Sequence, residues 1–294
     1  MILAPLRGVT IRCFRETFAE EIRAAGFTEA ITPFIAALNG YDPMKYRELR
    51  DEGLETEDGR LRLRVTPQFI GKDPVALRDC LLRVRAAGYD TADLNCGCPF
   101  PMVRNKGRGS GILRTPDVLK AMLEVGCETM GPGNFSIKAR LGVDRNDELL
   151  KLMPMINEFP LRFLTVHART ARQMYEGRCD GAMVEKVSKV AKVPIVRNGD
   201  VVFPFSNKRR DAASPLGEVM IGRGFIKWLG THADAADLLR RYIAASQAEL
   251  CGDRPVLGRM KELIAYWKEL PTWKRRWNVI KLCRSVDELK SCLV

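Results

Sequence analysis

Short runs of apolar, often β-branched residues alternate with longer segments of helical periodicity up to about residue 225. The runs predict strands at residues 1–3, 30–34, 61–70, 90–95, 134–141, 161–167, 193–198 and 217–221. The helical segments between them include residues 73–87, 116–125, 147–158 and 181–190. Strands that alternate with helices pair in parallel through crossover connections. Eight such strands in this length predict an α/β fold of the (β/α)8 TIM-barrel type, and the first turn lacks the glycine fingerprint of a doubly wound sheet.

The pattern changes after about residue 230, where helical segments follow one another without a strand. These segments span residues 234–250, 257–270 and 273–284. Residues 254–294 hold ten Lys or Arg and four Asp or Glu, and all four tryptophans lie at or beyond Trp228. We therefore divide the chain into a TIM-barrel domain at 1–230 and a small basic helical domain at 231–294. We expect the tryptophans to pack the helices and the positive charge to contact a polyanion.

The composition narrows the classes of function. The 294 residues include 48 Lys and Arg against 36 Asp and Glu, so the formal net charge is +12, which favours a nucleic-acid partner. Nine scattered cysteines without a C-x-x-C pair and only two histidines argue against a disulfide scaffold, a zinc ribbon and a histidine-built metal centre. No apolar run approaches the roughly 20 residues that span a bilayer. We expect a cytoplasmic monomer that binds neither metal nor membrane.

Polar residues stand where the apolar runs end, which in a TIM barrel is the rim that carries the active site. The residues at these ends are Gln68, Asn95, Lys138, Arg140, His167, Arg169, Asn198 and Arg223. Gly199 with Asp200, and Gly222 with Arg223, follow the seventh and eighth strands, where barrels bind phosphate through backbone N–H groups. A phosphate at this position is compatible with flavin mononucleotide (FMN), a sugar phosphate or pyridoxal phosphate.

The surroundings of Lys138 help to decide between FMN, a sugar phosphate and pyridoxal phosphate. A lysine at a strand end can form a Schiff base, but Arg140 lies on the same face, near Asn95 and Gln68. Amides and cations around a planar ring favour a flavin, because amides hydrogen-bond its pyrimidine edge and a lysine stabilises the anionic reduced ring. The alternative is that Lys138 pairs with a buried carboxylate, for which Asp93 on the neighbouring strand is the expected partner.

Cys98 lies just past the fourth strand, in a Cys-Gly-Cys-Pro turn before a basic, glycine-rich loop at residues 104–111. A cysteine on a rim loop can act as a nucleophile, or as a general acid if it is protonated near neutral pH. Most free cysteines are instead small buried hydrophobes. We assign that structural role to Cys96, which belongs to the strand itself.

The motifs at these positions resemble those of the tRNA-dihydrouridine synthases and follow the family's order along the whole barrel. The matching segments are LAPLRGV at 3–9, DLNCGCP at 93–99, KGRGS at 106–110, SIKARLG at 136–142, VHART at 166–170, RNGD at 197–200 and MIGRG at 220–224. The segment from Arg259 to Tyr266 is similar to the family's helical domain. The combination of Cys-Gly-Cys-Pro with His-x-Arg-Thr is specific, whereas Gly-Arg-Gly is shared with many flavin barrels.

The resemblance implies an FMN enzyme that uses NADPH to reduce the 5,6 double bond of a D-loop uridine in tRNA. It implies hydride transfer from reduced FMN to carbon 6 and proton transfer from Cys98 to carbon 5. The implied cofactor contacts are Pro5, Leu6, Arg7, Gln68, Lys138, His167, Asn198, Gly199, Asp200, Gly222 and Arg223. The implied substrate contacts are Asn95, Arg140, Arg169 and Lys106.

Two departures from the family pattern stand out. Leu6 occupies a position where the family commonly has Met, a volume-conserving exchange, and Cys179-Asp180-Gly181 lacks the Trp that the family usually shows there. The alternative function is an FMN-dependent TIM-barrel oxidoreductase acting on a small molecule, similar to dihydroorotate dehydrogenase, which has no need of a basic helical tail. An RNA-binding protein without chemistry and a sugar-phosphate isomerase or aldolase are further alternatives.

Overall fold

A computed structural model describes residues 1–46, 49, 63–204 and 218–293. Its strands are β1 (Ile2–Leu3), β2 (Glu29–Ile31), β3 (Ile35–Ala36), β4 (Arg64–Thr66), β5 (Gln68–Ile70), β6 (Ala92–Cys96), β7 (Phe135–Gly142), β8 (Leu164–Thr170), β9 (Ile195–Asn198) and β10 (Glu218–Ile221). They form one sheet in the order β3-β5-β6-β7-β8-β9-β10-β1-β2-β4. Neighbouring strands are parallel throughout.

Two interrupted strands explain how these ten strands make an eight-stranded barrel. Residues 32–34 separate β2 from β3, and Pro67, which has no N–H to donate, separates β4 from β5. Because β2 pairs with β4 and β3 pairs with β5, the two ends of the sheet meet and the barrel closes. Thr32 bridges the interruption, since its Oγ1 accepts a hydrogen bond from the Gln68 N–H at 3.0 Å. The predicted TIM-barrel fold is confirmed.

The predicted strands differ from the observed ones mainly where the barrel closes. The strand predicted at 30–34 overlaps β2 at residues 30–31, whereas residues 32–34 form the interruption and β3 begins only at Ile35. Parts of two other predicted strands, residues 61–62 and 217, lie outside the described residues.

Helices cover the outside of the barrel and form the C-terminal tail. They are α1 (Arg12–Thr17), α2 (Ala19–Ala24), α3 (Pro74–Ala86), α4 (Pro101–Arg104), α5 (Pro116–Met130), α6 (Glu148–Ile156), α7 (Gly181–Val190), α8 (Arg223–Leu229), α9 (Ala235–Glu249), α10 (Asp253–Ile264), α11 (Pro271–Ile280) and α12 (Val286–Ser291). Asp73 caps the amino terminus of α3, since its carboxylate accepts from the Val75 N–H at 2.9 Å, and Pro74 occupies the first turn. None of the helices in the described part of the chain combines the length and the apolarity that a bilayer span requires.

The interior of the barrel towards the amino-terminal ends of the strands holds a buried ion pair of Glu29 with Arg162 and an apolar cluster. Ile2, Ile31, Phe163, Val196 and Met220 pack together there, shielded from solvent. Asn95 and Asn198, predicted for the site, lie near the carboxyl-terminal ends of β6 and β9. Gln68 instead begins β5 and Lys138 lies in the middle of β7, because these strands continue to Ile70 and Gly142, beyond the residues predicted to end them. The strand order therefore sets a packed floor beneath a polar rim.

The tail packs against the barrel through a continuous core that α1 and α8 share with α9 to α12. Trp267 and Trp273 are buried at this seam, and their indole N–H groups donate to the Ile226 and Gly230 carbonyls at 2.6 and 2.9 Å. The tryptophans thus pack the helices, as their position in the sequence predicts. Because tail and barrel share this core, the domain division at residue 230 stays a prediction.

Candidate active site

A network of neutral and acidic side chains lies across β5, β6 and β7, and we call it the amide side of the barrel mouth. The Gln68 amide donates to the Asp93 carboxylate at 2.7 Å, and the Asn95 amide donates to the Gln68 carbonyl at 2.8 Å. Ser136 donates to the other Asp93 oxygen at 2.6 Å. The parallel register brings these groups together, because Gln68 pairs with Asp93 across the ladder. All four side chains are buried.

Burial raises the pKa of Asp93 to about 6, although hydrogen bonds from Ser136 and Gln68 oppose that shift. The Asp93 carboxylate is therefore occupied by neutral donors. Lys138 instead donates to the Asn198 carbonyl at 2.8 Å. The alternative pairing of Lys138 with Asp93 is not the contact that the structure shows.

Lys138 projects into the barrel with a strongly altered acidity. Burial and, to a smaller extent, the Arg140 charge lower the pKa of Lys138 to about 7, against the opposing effect of Asp93. Its register partner Thr165 carries a buried hydroxyl that has no hydrogen-bond partner within the described residues. A buried amine with one neutral partner and an unsatisfied hydroxyl beside it form a polar surface that fits an electron-rich or anionic ligand.

Cys98 is held in place by its backbone. Its N–H donates to Asn95 Oδ1 at 2.8 Å, and its carbonyl accepts from the Ser110 N–H and hydroxyl at 3.0 and 2.9 Å. Gly109 must be glycine, because it has φ +57° and a Cβ there would lie 2.8 Å from the Cys98 Cβ. The glycine-rich loop therefore packs directly on the cysteine.

Burial also decides the protonation of Cys98, which is 7% exposed. It raises the pKa of the thiol, and this outweighs the Phe100 N–H and the Arg140 and Arg7 charges, which lower it. The two arginines come from opposite sides of the mouth, on β7 and after β1. Cys98 is thus a protonated thiol at neutral pH. Cys96, by contrast, is fully buried in the core, as predicted.

The other part of the rim, formed by β8 to β10 together with Arg140, is rich in cations, and we call it the arginine side. Arg140 donates to the backbone carbonyls of Gly97, Thr170 and Met174 at 2.9, 2.8 and 2.6 Å. Burial lowers its pKa to about 10. Arg140 is thereby fixed between the loops that follow β6 and β8.

Arg169 and Arg223 share one carboxylate. Asp200 accepts from both guanidinium groups, and Arg169 also binds the carbonyls of Glu176 and Gly177. The Arg169 hydrogen bond holds the pKa of Asp200 below its usual value. Because both arginines bind the Asp200 carboxylate, Asp200 orients Arg223. A contact between Asp200 itself and a phosphate stays a prediction.

His167 lies among these cations and is buried. Burial and the charges of Lys138, Arg140 and neighbouring arginines hold the pKa of His167 well below its usual value, so the ring is neutral. Gly199 passes against it with φ +106°, and a Cβ there would lie 2.8 Å from both the His167 ring and the Cys179 sulfur. Cys179 thus fills space beside the glycine turn, in the segment where the family's Trp is missing.

The turn after β1 closes the ring of predicted cofactor contacts. Leu6 approaches Gly222 closely, since a Cβ on that glycine would lie 3.4 Å from the leucine methyl carbons. The Arg7 guanidinium lies 5.7 Å from the Phe34 ring centre. The half-buried Pro5 lies between this turn and β1. The predicted cofactor residues thus lie on the barrel strands and on the turns that follow them.

Lys106 is the predicted site residue that stays apart. It is exposed in the turn after α4, and the neighbouring Gly107 faces the side chain of Lys72. Nothing in the described structure brings Lys106 to the other site residues.

Sequence reasoning missed Tyr175 and Glu262. The Tyr175 ring lies between two guanidinium groups, 5.3 Å from that of Arg140 and 5.4 Å from that of Arg223. The aromatic residue just after the sixth barrel strand is a signal that could have identified it. Glu262 lies on α10 of the tail, and its Cδ is 2.6 Å from where a Cβ on Gly8 would be. No local pattern indicates that contact.

The described residues contain no cluster of three or more His, Cys, Asp or Glu side chains arranged to hold a metal ion. The polar groups described at the rim are amides, cations, hydroxyls, a neutral histidine and thiols, and the carboxylates of Asp93 and Asp200 are already occupied by neighbouring donors. Such a set suits an organic ligand with a phosphate and a polar planar ring.

Comparisons with known proteins agree with this geometry. A family model described as "Dihydrouridine synthase (Dus)" matches residues 2–233. A "tRNA-dihydrouridine(16) synthase" of Pseudomonas putida is 30% identical and covers 90% of this chain and 86% of its own. The protein of the same name from Haemophilus influenzae is 26% identical and covers 99% and 97%. A "tRNA-dihydrouridine synthase B" of Vibrio vulnificus is 25% identical and covers 76% and 66%.

Among solved structures, the old yellow enzyme homologue of Zymomonas mobilis superimposes with a TM-score of 0.52 at 13% identity, covering 77% of this chain and 85% of that one. At this identity the similarity supports the barrel fold alone. The family model covers all strands of the barrel and every predicted site residue. The chain belongs to the dihydrouridine synthase family of flavin-dependent oxidoreductases.

Proposed function

We propose that the protein is a tRNA-dihydrouridine synthase that uses FMN and NADPH to reduce the 5,6 double bond of a D-loop uridine. The observation that carries this proposal is the buried Cys98, which Asn95 and Ser110 hold by its backbone on the same rim as Lys138 and near the charges of Arg7 and Arg140. Reduction of the uracil double bond needs a hydride at carbon 6 and a proton at carbon 5. A thiol whose pKa is raised by burial keeps its proton for that purpose.

The residues of the rim fit FMN. Gln68 and Asn95 present amides beside Lys138 and a buried hydroxyl without a partner, which suits the polar edge of a flavin ring. Asn198, Gly199, Gly222 and Arg223 would hold the phosphate. Reduced FMN, when bound, supplies the hydride.

Each of the chain's own groups has a separate task in this reaction. Lys138 would hold a positive charge next to the ring, since an adjacent anion raises the pKa of an amine. Neutral His167 offers a hydrogen bond without adding charge. Cys98 would donate its proton to carbon 5 of the base, and Arg140 and Asn95 would orient the base by hydrogen bonds.

The tail is the second part of the proposal. Lys274 and Arg275 are exposed on α11, and we infer that they bind tRNA phosphates while the uridine enters the barrel mouth. The Haemophilus influenzae relative, which is named for position 16, aligns with 99% of this chain, so the tail is included in that similarity. We therefore propose position 16 as the uridine that is reduced. Cytoplasmic location and a monomeric state stay predictions.

The test is nucleoside mass spectrometry of an unmodified tRNA transcript incubated with the purified, FMN-loaded protein and NADPH. We expect dihydrouridine at position 16 and nowhere else in the D-loop. Product at another D-loop uridine would contradict the position and leave the reaction intact. A yellow, NADPH-oxidising protein that neither binds nor modifies tRNA would instead support the small-molecule oxidoreductase.

A further inference from the structure

A polar groove opens on the rim between the loops that follow β7 and β8, at residues 143–147 and 171–180. Its volume is about 680 Å³, and its lining contains only charged and polar residues. Pockets for small organic ligands are mostly apolar with a few polar groups. The apolar part of its surface belongs to charged and polar residues, and no aliphatic or aromatic side chain lines it for a base to stack on. The groove is therefore better suited to a sugar–phosphate backbone than to a base or a nicotinamide ring.

The arginines of this groove differ in how much of their hydrogen-bonding capacity is used. Arg145 directs two of its nitrogens to Asp147. Arg172 uses only its Nε, which donates to Asp144. Arg178 is exposed and has no ion pair or hydrogen bond within the described residues. Arg172 and Arg178 thus keep free N–H groups of the planar kind that bind phosphate oxygens in pairs.

The acids of the groove are already engaged. Asp144 accepts from both Arg114 and Arg172. Asp180 caps α7 by accepting from the Met183 N–H at 2.9 Å and also accepts from the Asn146 amide at 2.7 Å. These contacts leave the carboxylates less able to repel an anion than free surface acids would be.

The groove is connected to the barrel mouth. The Thr170 carbonyl on its wall accepts from Arg140 at 2.8 Å, and Gln173 accepts from the Thr170 N–H, which leaves the Gln173 amide N–H groups available to donate. In the barrel, β9 lies between the β7–β8 pair, which carries the groove, and the β10–β1 pair. The helices α1 and α8 and the tail share a core with β10 and β1. The groove and the basic tail therefore lie on different sides of the mouth.

We propose that this groove, through Arg172 and Arg178, holds the tRNA backbone next to the everted uridine, on the side of the mouth away from the tail. This inference rests on the proposed function. Two separated phosphate contacts, one in the groove and one on the tail, would span the mouth and present the nucleotide between them to Cys98. The groove would then help to choose which uridine enters.

The test compares the double variant Arg172→Ala/Arg178→Ala with Arg78→Ala/Arg83→Ala, which removes the same charge from exposed positions on α3. Dissociation constants for a tRNA transcript are measured against salt concentration by fluorescence anisotropy with FMN-loaded protein. We expect the groove variant to bind about tenfold more weakly, with a slope of log affinity against log salt reduced by about 1 to 2. The α3 control should stay within about twofold of the parental protein.

Two further variants protect this comparison from a folding artefact. Arg178→Ala alone removes no described contact within the protein, so weaker tRNA binding by this variant reports the lost phosphate contact. Arg172→Lys/Arg178→Lys keeps the charge and should recover most of the affinity while losing paired hydrogen bonds.

Three outcomes overturn the proposal, and they differ in whether the proposed function survives. Equal tRNA affinity of the groove variant and the α3 control would disprove the groove proposal alone. A higher Michaelis constant for NADPH with parental tRNA affinity assigns the groove to the reductant's phosphates. A parental protein that neither binds tRNA nor forms dihydrouridine removes the proposed function and this inference together.

Discussion

The two sides of the barrel mouth are built in different ways. On the amide side, Gln68, Asp93 and Asn95 bind one another across adjacent strands, so the sheet register sets their positions. On the arginine side, Arg140 and Arg169 bind the carbonyls of loops. Short side chains can reach one another only where the backbone is in register, whereas arginine can cross from a strand to a loop.

Two carboxylates illustrate the difference. Asp93 is fully buried with neutral donors, and burial raises its pKa to about 6. Asp200 is exposed between two arginines, which hold its pKa below the usual value. The amide side therefore serves as rigid scaffolding, and the arginine side keeps charge available for a polyanionic ligand.

The largest effect is expected at Cys98, which the amide side positions. Cys98→Ala should lower the rate of dihydrouridine formation about 10²- to 10⁴-fold, because it removes the general acid. The flavin absorption spectrum should be retained. Product is measured by nucleoside mass spectrometry at saturating tRNA.

Cys96→Ala is the matched control, since Cys96 is the last residue of β6, two residues before Cys98, and is buried in the core. It should form product at close to the parental rate. Parental activity in Cys98→Ala would show that the Cys98 thiol is not the proton donor.

The comparison of the two carboxylates predicts a large difference in stability. Asp93→Ala should lower the free energy of unfolding by about 2 to 4 kcal/mol, because it leaves buried donors on Gln68 and Ser136 without partners. Asp200→Ala should cost about 1 kcal/mol, since the Asp200 carboxylate is exposed and the buried Arg169 keeps its hydrogen bonds to the Glu176 and Gly177 carbonyls. Urea unfolding monitored by circular dichroism measures both. Similar losses in the two variants would show that the amide side is not the more rigid part.

The buried amine of Lys138, which lies on β7 and donates to Asn198 between the two sides, should make the free energy of unfolding depend on pH. Its pKa in the folded protein is about 7, below the unfolded value, so the unfolded chain binds more protons above pH 7. The cost of burying the charged amine is therefore present below pH 7 and is relieved as the pH rises towards 10.

The measurement is urea unfolding of the flavin-free protein and of Lys138→Met between pH 6 and 9. The parental protein should gain stability relative to Lys138→Met as the pH rises above 7. A constant difference between the two proteins over this range would contradict the lowered pKa.

The smallest effect is expected on the arginine side at Tyr175. Tyr175→Leu removes the ring between Arg140 and Arg223, and each exposed cation–π contact contributes about 0.5 to 1 kcal/mol. We expect the Michaelis constant for tRNA to rise about fivefold because the two arginines lose their common support. Tyr175→Phe keeps the ring and should change this constant by less than about twofold. Equal effects of Leu and Phe would assign the role to the hydroxyl group.

Much of this molecule could be predicted from local patterns. Alternating apolar runs and helical segments predict the barrel, because each element buries a face with its own period. The rim residues follow from the same pattern, since the polar residue that ends a parallel strand lies at the carboxyl-terminal face. The role of Cys98 and of the glycine turns comes from their motifs.

The contacts between distant residues needed the closed barrel. Lys138 meets Asn198, 60 residues away, because β7, β8 and β9 are neighbours in the ring. Glu262 reaches Gly8 only because the tail folds back onto the first barrel helices. The sequence by itself determined which groups stand at the ends of the strands, since periodicity is local. Only the tertiary structure decided their partners and acidities, because both depend on which strands become neighbours and how much water is excluded.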